Sequence, residues 1–254
     1  MDYLKINAKV WDKNVKEKNQ WTLPVSREEI AAAVRGDWGV MMTPNRPVPR
    51  IWFGDCVKGK HILLIAGGGG QQGPILAAAG AIVTVLDNSA SQLAQDEMVA
   101  VREGLKITTI KGNMQDLSAF ADASFDIAMS LGGCFADNVL PIWREAARIL
   151  APGGRLLAGH NNPIEYIFDM DEMLDGKLTV RHKIPYSDIK DLTPDEFERI
   201  ARGNGVCFGH SLEDLIAGQI AAGFVIAGFY EDSGVGYVID NYISTFLGTL
   251  AIKA

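Results

Sequence analysis

A doubly wound, mostly parallel α/β sheet of seven strands, closed by an antiparallel C-terminal hairpin, is the fold that the sequence predicts. Three observations carry the prediction. Short apolar runs alternate with helical patterns over residues 60–160, the pattern of strands buried on both faces and joined by crossover helices. The first run, Ile62-Leu63-Leu64-Ile65, feeds the glycine-rich turn Ala66-Gly67-Gly68-Gly69-Gly70-Gln71-Gln72-Gly73, and the second run ends on Asp87. Two consecutive strand patterns, 224–230 and 242–252, have no helix between them, so they pair antiparallel at one edge of the sheet.

The elements follow in order. Residues 1–50 read as an N-terminal helical appendage or lid, and 51–254 as the main domain. Ser26-Arg27-Glu28-Glu29 is a capping box that opens a helix carrying Ile30, Ala33 and Val34 and stopping at Gly36. Thr43-Pro44-Asn45-Arg46-Pro47-Val48-Pro49 is too rich in proline for regular structure and acts as a rigid linker. After the glycine turn, Pro74 stands near a helix start, where its missing N–H costs nothing. Asn88 or Ser89 caps the next helix, which Gly104 closes. Strands are expected at 106–110 and 125–131.

The helix over 137–150 places Val139, Ile142, Trp143, Ala146, Ile149 and Leu150 on one face. Pro152-Gly153-Gly154 is expected to stop it before a fifth strand at 155–159. Residues 161–210 break the rhythm, with one capped helix starting at Thr193 and much irregular polar sequence. Insertions of that length usually form lids or substrate walls, so this one is read as shaping an acceptor site. Ser211 then caps a helix that ends at Gly223, before the closing hairpin.

Composition narrows the function. The chain has 254 residues, enough for one large α/β domain with a substantial core. Its net charge of −7 and lack of any basic run argue against nucleic acid as a partner, because phosphate neutralisation needs clustered Lys and Arg. Residues 1–18 are charged throughout, without the apolar core of a signal peptide. The stretch 215–230 is too short and glycine-rich to span a bilayer, so no membrane partner is expected. Cys56, Cys134 and Cys207 form no C-x-x-C pair, which points to a reducing, cytoplasmic setting without a metal site.

Strand, glycine turn, helix, strand and acid make a nucleoside-cofactor half-site. A carboxylate at the tip of the second strand accepts hydrogen bonds from both hydroxyls of a ribose. Gly68-x-Gly70-x-x-Gly73 also satisfies the dinucleotide fingerprint, so a nicotinamide cofactor and an adenosyl sulfonium both remain open at this point. A glycine-rich surface turn without a ligand would explain neither the strand before it nor the acid after it.

The remaining motifs resemble the class I, seven-stranded S-adenosylmethionine-dependent methyltransferases. Gly112-Asn113-Met114-Gln115-Asp116-Leu117 is similar to that family's adenine-binding turn, and Ala123-Ser124-Phe125-Asp126-Ile127 to its entry into the fourth strand. Arg144-Glu145-Ala146-Ala147-Arg148-Ile149-Leu150-Ala151-Pro152-Gly153-Gly154 is similar to its hinge before the fifth strand. The antiparallel ending, in place of a sixth parallel strand, fits the same family. The resemblance implies S-adenosyl-L-methionine as cofactor, with Asp87 and Asn88 at the ribose and Asn113 with Met114 at the adenine. It places Ala66, Gly67, Gly68, Gly70 and Gln71 around the methionyl part, and Leu131 and Phe135 beside the sulfonium or the adenine face. One departure stands out: the family's acid before the first glycine is missing, with Leu64 and Ala66 in that stretch. Loop carbonyls or Gln71 must then hold the methionyl ammonium. Asn113 stands where the family more often has Asp, and its side-chain oxygen still accepts from the adenine amine.

Methyl transfer needs alignment and exclusion of water, and positioning alone supplies roughly 7–11 kcal/mol. A base is required only for a hydroxyl or a protonated amine. His160, at the carboxyl end of the fifth strand, is the candidate base, with an ordinary pocket-lining role as its alternative. His210 reads as structural at a helix start, and His61 and His182 receive no role. Cys134 has no basic neighbour to activate it as a nucleophile. Asn161-Asn162-Pro163-Ile164 follows the fifth strand rather than the fourth, so a nucleic-acid amino-methyltransferase motif is rejected. Tyr3, Trp11 and Trp21 either close over the ligand or simply pack. The expected activity is methyl transfer to a small-molecule acceptor. Its rivals are an NAD(P)-dependent oxidoreductase and a non-catalytic adenosyl-ligand binder.

Overall fold

Two helices, α1 (Tyr3–Lys16) and α2 (Arg27–Val34), precede the first strand in the computed structural model, which describes residues 1–234 and 236–254. Strand and helix then alternate as β1 (His61–Ile65), α3 (Gln72–Ala78), β2 (Ile82–Asp87), α4 (Ala90–Glu103), β3 (Ile107–Lys111), β4 (Phe125–Ser130), α5 (Leu140–Ile149) and β5 (Leu150–Asn161). The insertion contributes α6 (Met170–Leu174), β6 (Tyr186–Ser187), α7 (Asp188–Asp191), α8 (Pro194–Asn204) and β7 (Phe208–Gly209). A wide helical turn, Glu213–Ala217, runs into α9 (Gly218–Ala221), and β8 (Phe224–Asp232) and β9 (Phe246–Lys253) finish the chain.

The main sheet has the order β3-β2-β1-β4-β5-β9-β8, as the sequence predicts in class and strand number. Its first five strands are parallel, and β9 runs antiparallel between β5 and β8. Side chains alternate across β1 because successive Cβ atoms point to opposite faces. Ile62 and Leu64 pack with Leu76 of α3 and with Trp52 and Phe53, whereas Leu63 and Ile65 pack with Ile142 and Trp143 of α5. All six apolar positions expected on α5 are fully buried. Both capping boxes form, at Ser26 with Glu29 and at Thr193 with Glu196.

Several boundaries are corrected. α5 starts at Leu140 rather than 137, because the Asn138 side chain accepts from the Leu140 N–H and Pro141 fills the second position. Pro152-Gly153-Gly154 does not separate α5 from β5: Leu150 already pairs with Phe125, and residues 151–154 form an irregularity within the strand. β5 also extends to Asn161, held by its pairing of His160 with Leu247 and Asn161 with Phe246. The last strand begins at Phe246 rather than 242, after a 3-10 turn at Val238–Asn241. In α2, Ile30 and Ala33 are buried but Val34 is exposed.

The linker around Pro44 is fastened by Asp232, whose Oδ2 accepts from the backbone N–H groups of Asn45 and Arg46 at 2.8 and 2.9 Å. The same segment presses on β5, where Gly159 faces the Met42 backbone. A Cβ there would overlap the Met42 carbonyl oxygen and lie 3.0 Å from the Met42 Cβ. Gly159→Ala therefore forces either residues 41–43 or β5 aside, and overpacking of this kind costs about 1–3 kcal/mol. We expect a lower urea midpoint at unchanged m-value, read by intrinsic fluorescence. No helix among the described residues is long and apolar enough to cross a membrane.

Candidate functional site

In an open parallel sheet, ligands bind outside the carboxyl ends of the strands. There the chain leaves a cavity of about 490 Å³. Its floor begins at the glycine turn. The Ala66 N–H donates to the Leu86 carbonyl at 2.8 Å, and Ala66 adopts a left-handed φ of 54°, a local strain that marks the sharp exit from β1. A Cβ on Gly68 would lie 2.8 Å from the Gln92 Cβ and 3.1 Å from Asp87 Oδ2, so only glycine lets the turn sit against the tip of β2.

Asp87 joins the two strand ends. Its Oδ2 accepts from the Gly68 N–H at 3.0 Å and its Oδ1 from the Ser89 N–H at 2.8 Å. Each oxygen keeps a lone pair. Burial pushes the Asp87 carboxyl above the usual range, against the pull of these backbone donors. Behind the turn stands Asp96 of α4, fully buried, with Oδ2 accepting from the Gly69 N–H at 3.0 Å. Burial pushes its pKa up to about 7. Asp96 Oδ1 and Gln92 Oε1 are buried without hydrogen-bond partners, and Gln92 lines the cavity. Free lone pairs on Asp87 and the unpaired Gln92 oxygen fit a ligand rich in hydroxyl donors, such as a ribose. The sequence carried a signal for Asp96 that was missed: Gln92 and Asp96 lie one helical turn apart, interleaved with the buried Leu93 and Val99.

The other expected cofactor residues gather around the same space, with one exception. Asn88, Asn113, Met114, Leu131 and Phe135 line the cavity together with Ala66, Gly67, Gly68 and Gln71. Asn113 Oδ1 already accepts from the Gln115 N–H at 3.1 Å and retains its second lone pair. Gly70 faces away: its carbonyl accepts from the Val25 N–H, and a Cβ there would lie 3.0 Å from both Pro24 Cβ and the Gln95 carbonyl oxygen, so it holds the N-terminal segment rather than the cavity wall. The Gln71 amide nitrogen donates one N–H to the Leu23 carbonyl at 3.0 Å, which leaves its oxygen and its second N–H for a ligand.

Helix α1 forms the roof, which the sequence did not delineate. Leu4, Ala8 and Trp11, at helical spacing, face the cavity, and Trp11 meets Phe135 edge-on at 5.5 Å. The helix is bolted to the sheet by Asn88, which donates to the Leu4 carbonyl at 2.7 Å, and by Asp12, which accepts from Ser89 Oγ at 2.6 Å. It is bolted to the insertion by Asn7, which exchanges hydrogen bonds with both backbone groups of Val206. Tyr3 serves this clamp, donating to Gln115 at 2.9 Å and packing on Phe208. Trp21 sits at the lip, partly exposed.

The far wall comes from the insertion and from the end of β5. His160 lines the cavity but is nearly fully buried, edge-on to Trp143 at 5.6 Å, with Nε2 3.4 Å from the Gln219 amide nitrogen and Nδ1 without a partner. Burial lowers its pKa to about 3. His210 Nε2 lies 3.2 Å from the Gly133 carbonyl, tying the insertion to the end of β4. Four wall residues went unnoticed in the sequence. Glu165 is buried with its pKa pushed up to about 7, and its one side-chain hydrogen bond is from Asn161 at 3.4 Å. Tyr166 stacks on Tyr186 at 5.5 Å, and the Tyr186 hydroxyl donates to Asp188 Oδ1 at 2.8 Å. His182 lies over Tyr186. Only Glu165 had a sequence signal, its place just beyond the carboxyl end of β5. Among the described residues no group of three or more His, Cys, Asp or Glu is arranged to hold a metal ion.

Comparison with known proteins gives a consistent answer. A family model described as a methyltransferase domain matches residues 63–158. The uncharacterized methyltransferase YbaJ of Bacillus subtilis (strain 168) is 49% identical over 249 residues, covering 97% of each chain. Among solved structures, an S-adenosylmethionine-dependent methyltransferase from Mesorhizobium loti superposes with a TM-score of 0.59 at 22% identity, covering 78% of this chain and 92% of that one. A further such methyltransferase, from Methanosarcina mazei, gives 0.56 at 20% identity over 81% and 98%. At these identities the two structures speak for the fold alone.

Proposed function

Because the chain belongs to the class I S-adenosylmethionine-dependent methyltransferases, we propose that its cavity takes the cofactor at the sheet end and a small-molecule methyl acceptor at the insertion end. The nicotinamide reading falls with the topology, since β9 runs antiparallel where a sixth parallel strand would continue a dinucleotide domain. One observation carries the small-molecule reading: a single cavity of about 490 Å³ reaches from Asp87 to Glu165 under a roof formed by α1. That size suits compact ligands.

In this arrangement Asp87 accepts from the ribose hydroxyls, with Asn88 holding the roof beside it. Asn113 and Met114 face the adenine, the 66–68 turn and the Gln71 oxygen the methionyl part, and Leu131 and Phe135 the sulfonium side. The cofactor supplies an electrophilic methyl group. The chain supplies alignment and dryness, for which α1 is the lid and residues 161–210 the acceptor wall. His160 acts as a positioning residue: an imidazole whose pKa is about 3 stays neutral near pH 7 and is a poor proton acceptor.

Calorimetry tests the reading. S-adenosylmethionine and S-adenosylhomocysteine should bind with micromolar or tighter affinity, and NAD should give no heat. An NAD signal without an adenosyl response would overturn the assignment of the cavity. A panel of small acceptors, followed by mass spectrometry, then tests the insertion end.

A further inference from the structure

The insertion end of the cavity has a surplus of negative charge that the fold does not neutralise. Three of its five carboxylates are matched: Arg181 bridges Asp169 and Glu196 at 2.8 and 2.7 Å, and Arg199 grips Asp171 through two hydrogen bonds at 2.8 and 2.6 Å. Glu165 and Asp188 have no Lys or Arg partner among the described residues, although both are more than nine-tenths buried. Burying a carboxylate without a counter-charge is costly, and here the cost appears as pKa values pushed upward for both. The Asp240 carboxylate adds to the pressure on Glu165.

Two further observations point to a ligand rather than to a solvated acidic patch. Glu165 Oε1 has no hydrogen-bond partner among the described residues, and the residue lines the cavity. The buried His160 Nδ1, on the neighbouring turn of chain, also lacks a partner. Beside them stands the stacked Tyr166–Tyr186 pair, whose second ring is fixed by Asp188. Asp188 spends both oxygens on protein donors, the Tyr186 hydroxyl at 2.8 Å and the Cys207 N–H at 2.6 Å. Glu165 is therefore the carboxylate left with a free oxygen, and aromatic faces beside it form a surface that attracts cations.

Building on the methyl-transfer reading, we infer that the acceptor is a primary or secondary amine, bound as its ammonium by Glu165 beside the Tyr166–Tyr186 pair, with Glu165 as the proton acceptor. The ammonium gives one proton to the Glu165 carboxylate, leaving a neutral amine and a neutral carboxyl. The amine lone pair then forms the N–C bond as the C–S bond breaks, its electron pair passing to sulfur. The products are S-adenosylhomocysteine and a methylated ammonium, and Glu165 returns its proton to solvent. A carboxyl that titrates near neutrality can complete that cycle.

The test is a binding titration on protein saturated with S-adenosylhomocysteine, where no transfer takes place. Phenethylamine, ethanolamine and butylamine are each compared with the matched alcohol: 2-phenylethanol, ethylene glycol and butanol. At least one amine should bind tenfold or more tightly than its alcohol. Titrations in buffers of different ionisation heat should show about half a proton released per amine bound at pH 7, as the ammonium ionises Glu165. Glu165→Gln should abolish the proton release and most of the preference, with S-adenosylhomocysteine affinity unchanged. If no amine binds more tightly than its alcohol, the inference is wrong and the methyl-transfer reading stands. If Glu165→Gln instead weakens S-adenosylhomocysteine binding, Glu165 belongs to the cofactor and the inference is again wrong. If wild-type protein does not bind S-adenosylhomocysteine at all, the reading beneath it fails.

Discussion

Replacing Asp87 with alanine is expected to lower the affinity for S-adenosylmethionine by at least about a hundredfold. Two hydrogen bonds from ribose hydroxyls to an ionised carboxylate contribute about 1.5–3 kcal/mol each, and every 1.4 kcal/mol is a factor of ten. The loss has a second source. Asp87 also accepts from the Gly68 and Ser89 N–H groups, at 3.0 and 2.8 Å, so alanine strands two backbone donors at the base of the turn. Asp87→Asn separates the contributions, because it keeps one oxygen for the backbone but removes the charge and one acceptor. We expect the asparagine variant to fall between wild type and alanine in calorimetric titrations with S-adenosylhomocysteine. An affinity within threefold of wild type for both variants would place the ribose elsewhere.

That prediction rests on a part of the molecule that local sequence specifies. β1, the glycine turn and Asp87 are contiguous or nearly so, and their geometry follows from backbone rules: an apolar strand, a turn that admits no Cβ at Gly68, and an acid at the next strand tip. The same is true of the Asn113 turn after β3. What local sequence could not specify was the enclosure. α1 covers the cavity because Asn7 meets Val206 and Leu4 meets Asn88, contacts between residues far apart in the chain. The helix stripe Leu4, Ala8 and Trp11 was readable, but not what it would face.

The wall that the insertion builds shows the same limit more sharply. Tyr186 and Asp188 are drawn to Tyr166 by a two-stranded ladder of only two residue pairs, Tyr186 with Gly209 and Ser187 with Phe208. Strands of two residues carry no periodicity to detect. His160, picked out for its place at a strand end, proved to be enclosed between Trp143 and Gln219. Glu165, five residues later, lines the same cavity with its pKa pushed up to about 7. Gly70 matched a motif spacing, yet it holds Val25 instead of a ligand. Spacing identifies the turn but not which of its glycines faces inward.

Asp96 gives a prediction whose sign depends on its burial. Its carboxyl has no exposed surface, and burial moves the pKa from the ordinary 3.8 to about 7. Between pH 4 and 7 the unfolded chain has released this proton while the folded chain still holds it. Stability therefore falls as pH rises through that window, by about 1.4 kcal/mol per unit and by about 4 kcal/mol at most. Below pH 4 both states are protonated, and above pH 7 both are ionised, so the contribution is flat on either side. Asp96→Asn removes the titration yet keeps an oxygen to accept from the Gly69 N–H, now 3.0 Å from Oδ2. The variant should match the parent at pH 4 and exceed it at pH 8 by up to that amount, measured as the difference in urea unfolding free energy. Glu165 titrates in the same window with the same sign, which is why the parent-to-variant difference, not the parent's own profile, is the quantity to read. A variant weaker than the parent by a constant amount at every pH would mean that Asp96 is ionised throughout. The carboxylate would then be anchoring the glycine turn as a permanent charge through the Gly69 N–H.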